Sequence, residues 1–238
     1  LLLLEEVARS GEPITPTEIN LTLGLPKPTI HRLFSTLLDE GFLQRDIGGR
    51  AYLPGPRLRS LAGGVLSSSH IRASRQTVLK RLSAEIGETC NIALPDNESM
   101  VYLERVETEW PLRIQLPTGT RVPFYCTASG KMYLSSLSRR ALDSYLSSTP
   151  LTARAQLEAE IDRIRAEGYA TDRGEFMPDM IAVAVPINEE NGRILATLSF
   201  HAPTQRLDME RALSFLPNLQ AAARELAAIV SGEKPNPT

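Results

Sequence analysis

The sequence predicts an α+β chain in two parts, a small helical head that ends in a hairpin and a larger domain of antiparallel sheet packed with helices. Three observations carry this. Residues 14–53 hold two capped helical patterns that run straight into a Gly-Gly turn. Residues 57–69 form an apolar-periodic stretch closed by Ser67-Ser68-Ser69. Beyond residue 70, alternating strand-like runs interleave with amphipathic helices, the pattern of a sheet covered by helices.

The elements follow in order. Leu1-Leu2-Leu3-Leu4 precedes Glu5 and Glu6 with no positive n-region, so it reads as an amphipathic helix already under way and not as a secretory signal. On this reading the natural N-terminus lies upstream. Thr15-Pro16-Thr17-Glu18 is a capping box, with Ile14 and Ile19 placed to staple the helix start. That helix stops near Gly24. A second opens at Leu25-Pro26-Lys27-Pro28, where prolines are tolerated because the first N–H groups have no intrahelical partner. Ile30, Leu33, Phe34, Leu37 and Leu38 make its core stripe, and Gly41 stops it. Phe42–Arg45 and Arg50–Leu53 then flank a turn at Gly48-Gly49. Together these are the parts of a winged helix-turn-helix over residues 1–56.

The off-stripe residues Lys27, Thr29, His31, Arg32, Ser35 and Thr36 are donors suited to phosphates and base edges, as a recognition helix in a major groove requires. Thr17, on the first turn of the preceding helix, joins the candidate DNA contacts. Arg45 and Arg50 flank the hairpin tip, and Arg50 is placed to touch backbone or minor groove. The same pattern also fits a small helical interaction module with a solvated polar face.

Pro54-Gly55-Pro56 ends the hairpin, and a linker helix over 57–69 leads to a boundary near residue 70. In the second domain, 70–232, helices are expected at 71–86, 128–137, 139–147, 152–167 and 208–230. Strands are expected at 90–94, 100–106, 112–116, 169–171, 181–187 and 194–200, with Asn191-Gly192 as a hairpin turn. Residues 233–238 read as a disordered tail.

Composition narrows the function. The chain has 238 residues, 42% hydrophobic and 23% charged, and no apolar run long enough to span a bilayer. Cys90 and Cys126 make neither a disulfide framework nor a metal cluster; they read as small buried fillers in a reducing, cytoplasmic protein. The net charge of −2 hides a local footprint: residues 24–59 hold six cations against three anions, a net +3. One such footprint makes few phosphate contacts, and two copies on adjacent half-sites would compensate, which argues for a dimer.

Further segments carry a resemblance: Gly24–Leu33 and Tyr52–Leu58 in the head, then Gly87-Glu88-Thr89-Cys90-Asn91, Tyr102–Val106, Cys126–Lys131, Gly168-Tyr169-Ala170 and Ala184-Val185-Pro186-Ile187. In order and spacing the chain resembles the IclR family of bacterial transcriptional regulators over essentially its whole length. The resemblance implies a winged-helix domain, a linker helix and a GAF-like effector domain. It also implies homodimers or homotetramers on operator DNA, controlled by a small metabolite. Two stretches depart from the family: Pro28 stands where serine is usual, and Asp179–Ala182 replaces a common Gly-Val-Arg-Cys.

The small turn Cys126–Lys131 would present free N–H groups at a helix start, suited to the carboxylate of an organic acid, and Thr127, Ala128, Ser129 and Gly130 are its candidate residues. An ordinary capped helix reads equally well there. The resemblance adds Asp172, Ala182, Ser199 and His201. Alternation puts Ser199 and His201 on one strand face, with Leu198 and Phe200 on the other. Asp172 is placed either to bond a ligand hydroxyl or to cap a turn, and His201 either to face the ligand or to end its strand at the surface. Arg105 and Arg113 are candidate charge partners for an acid, though as charged strand residues they are expected to face water, and Glu175 to be solvated. No cofactor or metal is expected.

Two other functions fit part of the pattern. Ser129 or Ser199 with His201 and Asp172 would compose a hydrolytic triad, although no Gly-x-Ser-x-Gly elbow is present. A metabolite sensor acting through protein partners, without DNA, is the other.

Overall fold

A computed structural model describes residues 1–231 except 12, 47–48, 67–68, 97–98, 112–115, 148–150 and 190–191. The chain divides into two compact units, Leu1–Ser69 and His70–Thr238.

The first unit begins with three helices, α1 (Leu2–Ser10), α2 (Pro16–Leu23) and α3 (Lys27–Asp39). Thr15 and Glu18 form both halves of the capping box at α2. Gly24 takes the left-handed conformation, φ 62°, that an L side chain resists. The Asn20 amide then fixes the turn into α3, donating to Leu25 O at 2.8 Å and accepting from Leu25 N at 2.9 Å. A hairpin follows, β1 (Leu43–Arg45) paired antiparallel with β2 (Tyr52–Pro54). Ile14 adds a third rung by exchanging two backbone bonds with Tyr52. Leu3, Val7, Ile19, Ile30, Phe34, Leu43 and Tyr52 close over one core. Leu33 departs from its expected place: it is exposed, because Ile30 and Phe34 already fill the narrow stripe that faces α1 and the hairpin. The helix α4 (Pro56–Leu66) ends this unit; of the break predicted at Ser67-Ser68-Ser69, residues 67–68 lie outside the described residues and Ser69 is already helical.

The second unit carries α5 (Ser69–Ile86), β3 (Thr89–Asp96), β4 (Ser99–Val106), β5 (Arg121–Pro123), α6 (Ala128–Ser136), α7 (Arg139–Ser147), α8 (Leu151–Glu167), β6 (Ala170–Arg173), β7 (Met180–Asn188), β8 (Ile194–Pro203), α9 (Met209–Ser214) and α10 (Leu216–Ser231). Six antiparallel strands lie in the order β5-β4-β3-β8-β7-β6. One face of the sheet packs on α5 and α10 through residues such as Leu79, Leu82, Leu198, Phe200 and Leu219. The other face packs on α6 to α8 through Met100, Leu134, Ile161, Ile164 and Ala184.

Several expectations change. The helix expected at 208–230 is two, because Phe215 breaks the α pattern and Pro217 sits in the first turn of α10, where its missing N–H costs nothing. The strand β5 was not expected. Residues 112–115 of the strand expected at 112–116 and the tail at 233–238 fall outside the described set, as does Asn191 of the predicted hairpin turn, and Leu116 belongs to no strand. Cys90 and Cys126 are both buried thiols.

Candidate functional site

In the first unit, one side of α3 stays open. Lys27, His31 and Arg32 are exposed and Thr29 half-buried, while Thr17 is exposed on α2 and Arg50 on the hairpin. Lys27 and His31 are one turn apart, so they share a face. The neighbouring cations are differently engaged. Arg45 donates to Gly49 O at 2.6 Å and lies over the Tyr52 ring; Arg57 pairs with Glu40 at 2.6 Å and covers the Phe42 ring. Arg59 donates to Gln44 Oε1 at 3.3 Å. Asp46 Oδ1 accepts from the N–H groups of Arg50 and Ala51 at 3.0 Å each, which orients the hairpin tip. The footprint of +3 is thus concentrated in the cations left to solvent on α3 and the hairpin.

In the second unit, a cleft opens on the α6 face of the sheet at the ends of β6, β7 and β8. It is small and partly open to solvent. Thr127, Ala128, Ser129, Asp172, Ala182, Ser199 and His201 all line it. Sheet register brings three of them into one row: Asp172 pairs with Ala182, and Ala182 with His201. Gly130 does not line the cleft. A Cβ there would stand 2.3 Å from the Phe124 Cα, so the absent side chain lets α6 seat against that backbone.

Each polar group has a defined engagement. Thr127 is the N-cap of α6, its Oγ1 accepting from Gly130 N at 3.0 Å and donating to Pro123 O at 2.7 Å. The N–H groups of Ala128 and Ser129, in the first turn, have no intrahelical acceptor. Ser129 Oγ lies 3.1 Å from Ser199 Oγ. Asp172 caps the turn after β6, accepting from Glu175 N at 2.7 Å, and burial raises its carboxyl above the ordinary range. Glu175 is not free in solvent: its carboxylate holds the fully buried Lys131 Nζ at 2.6 Å, together with Glu160 at 2.9 Å. Tyr102, Leu116, Phe176, Met177 and Met180 supply apolar wall.

Arg105 also departs from expectation. Its side chain is 3% exposed and its Nη1 donates to Asn91 Oδ1 at 2.9 Å, because register across β3 sets it directly opposite Asn91. Asn91 Nδ2 in turn contacts His201 Nδ1 at 3.1 Å. Arg113 lies outside the described residues. Sequence reasoning missed Asn91, Tyr102 and the Met177–Met180 wall. Only strand alternation with Ala93 signalled that Asn91 points to the cleft side, and register with β8 could not be read. As for a triad, Asp172 is turned to backbone N–H groups and His201 to Asn91, so no serine-histidine-aspartate relay forms among the described residues.

Comparison with known proteins identifies a family for both parts of the chain. Residues 1–46 match the IclR helix-turn-helix domain, and residues 63–228 match the bacterial transcriptional regulator IclR C-terminal. The chain is 35% identical over 232 residues to a probable transcriptional regulator, SauR, of Cupriavidus necator, covering 94% of this chain and 92% of that protein. It is 27% identical over 250 residues to the transcriptional repressor IclR of Escherichia coli, covering 98% and 88%. Among solved structures, a putative IclR transcriptional regulator from a Silicibacter species superposes with a TM-score of 0.65 at 29% identity, covering 94% of this chain and 92% of that one. The relatives are regulators, not enzymes. The chain therefore belongs to the IclR family of bacterial transcriptional regulators and carries that family's DNA-binding helix-turn-helix.

Proposed function

We propose that this regulator docks α3 in the major groove of an operator, as one of a pair or two pairs of copies, and responds to a small organic acid held in the cleft. The observation that carries the effector reading is the convergence of donors: two first-turn N–H groups of α6, the hydroxyls of Ser129 and Ser199, and His201, in a cleft whose remaining lining is apolar apart from Thr127 and Asp172, both turned to backbone groups. A carboxylate gains from the positive end of α6, and an apolar wall strengthens each hydrogen bond it makes. The reading of α3 is supported by the exposure of Lys27, His31 and Arg32 on a helix whose opposite side is fixed in a core.

Two measurements test it. A thermal-shift screen with small mono- and dicarboxylic acids should raise the melting point, because a ligand that binds only the folded state stabilises it by mass action. The same acids should leave a Ser129→Val variant unmoved. For the head, Arg32→Ala should lose about 1–3 kcal/mol of affinity, in a gel-shift titration, for DNA selected from a random pool by the wild-type protein. Unchanged affinity removes Arg32 from the contact set. A sensor acting without DNA would select no fragment at all.

A further inference from the structure

Among the polar groups of the cleft, His201 has the most constrained environment. Its Nδ1 faces Asn91 Nδ2 at 3.1 Å, and its Nε2 is sealed from solvent with no hydrogen-bond partner among the described residues. An imidazole that is neutral carries one proton, on one nitrogen or the other, and the partner of each nitrogen decides which. Burial pushes the His201 ring down to about 3, helped by the nearby Arg105 guanidinium and opposed by Glu107, so the ring stays neutral in ordinary buffers.

The sheet register settles where the proton sits. Arg105 and Asn91 are direct partners across β4 and β3, and Asn91 reaches diagonally to His201, which lies two residues beyond its own partner Ser199 on β8. An arginine has five N–H donors and no acceptor. Because Arg105 Nη1 binds the Asn91 side chain at 2.9 Å, the atom it meets must be the oxygen, which leaves the Asn91 amide N–H₂ toward His201. That amide can only donate, so His201 Nδ1 must accept and its proton belongs on Nε2.

We infer that Arg105, acting through Asn91, locks His201, a residue of the cleft wall, as a buried Nε2–H donor without an acceptor, so that the site selects a ligand able to bring an acceptor oxygen to it. Arg105 and Asn91 are positioning residues, and His201 is the specificity determinant. The inference rests on the effector reading of the cleft only for its ligand; the tautomer stands by itself. A buried donor left unpaired is costly, so a carboxylate oxygen or a keto oxygen placed there is favoured, while an amine or ammonium group meets a like donor and is rejected. The chemical class is therefore a small acid with an oxygen acceptor at each end, one for the start of α6 and one for His201.

The test uses the full chain labelled with ¹⁵N-histidine. Only three histidines are present, and a His201→Gln variant assigns the signal of interest. Long-range ¹⁵N–¹H correlation on the ligand-free protein should show His201 protonated at Nε2 and bare at Nδ1. Arg105→Lys, another donor-only side chain, should keep that tautomer. Arg105→Gln, whose amide can accept as well as donate, should let the Asn91 amide rotate and give a mixture. Asn91→Asp keeps the bond to Arg105 but replaces the donor by an acceptor, so the proton should move to Nδ1 at a pH where the same spectrum shows a neutral ring. Succinate and oxalate, set against β-alanine, whose ammonium end cannot accept, then read the specificity by calorimetry: tight dicarboxylate binding in wild type and Arg105→Lys, and at least tenfold weaker binding in Asn91→Asp. A wild-type His201 protonated at Nδ1 overturns the lock. A locked tautomer with equal dicarboxylate affinity in Asn91→Asp overturns the specificity role. A locked tautomer in a protein that binds no carboxylate leaves the lock standing and overturns the organic-acid reading itself.

Discussion

At the scale of single residues, the cleft combines groups that burial drives in opposite directions. Asp172 is held above the ordinary carboxyl range and His201 well below the ordinary imidazole range, and in both cases loss of water around the charged form is the leading cause. For His201 the folded value, about 3, lies below the unfolded one near 6.5. The unfolded chain therefore takes up the proton first as pH falls, and the contribution to stability present above about 6.5 is lost progressively toward 3. Urea titrations of wild type and His201→Gln should show wild type losing stability faster between those limits; parallel curves would mean that the ring is hydrated in solution. Gly130 has a different constraint. A methyl group there meets Phe124 Cα at 2.3 Å, and backbone cannot step aside. Gly130→Ala should cost at least the about 1–3 kcal/mol typical of overpacking, measured as a lowered urea midpoint with the slope unchanged.

At the scale of elements, the parts whose causes are local could be read from the sequence and the parts set by pairing could not. The capping box at Thr15, the stop at Gly24 and the α6 start at Thr127 each depend on three or four consecutive residues, and each appears as a hydrogen bond where the pattern puts it. Alternation likewise separates Ser199 and His201 from Leu198 and Phe200. The order β5-β4-β3-β8-β7-β6 joins strands more than a hundred residues apart, and no short-range pattern encodes it. That is why Asn91 was not expected beside His201, and why Arg105 was expected in water although pairing sets it against Asn91. The same locality makes α6 a clean subject for test. Thr127→Ala removes the acceptor for Gly130 N and should cost about 1 kcal/mol, with Thr127→Ser restoring most of it. Equal melting points for Ala and Ser would show that the methyl group, and not the hydroxyl's bonds to Gly130 N and Pro123 O, is what Thr127 supplies.

At the scale of the whole molecule, α4 is an element that its own unit leaves under-supported. Leu61 and Val65 lie one turn apart and are 55% and 61% exposed, so they form an apolar stripe that the first unit does not cover. Gly63 and Gly64 sit between them with nothing within 4 Å of where a Cβ would be, and each glycine weakens a helix interior by about 1 kcal/mol relative to alanine. A short helix with two glycines and an open apolar face draws its stability from packing. A second copy of the same stripe would supply that packing and at the same time set two α3 helices on adjacent half-sites, which the small charge footprint needs for tight binding. The double variant Leu61→Glu/Val65→Glu keeps good helix formers in place while putting carboxylates face to face in such a pairing. It should sediment as a smaller species than wild type and bind operator DNA far more weakly, whereas Arg32→Ala should lose DNA affinity with its sedimentation unchanged. If the double variant sediments like wild type and still binds, the α4 stripe is not a pairing surface.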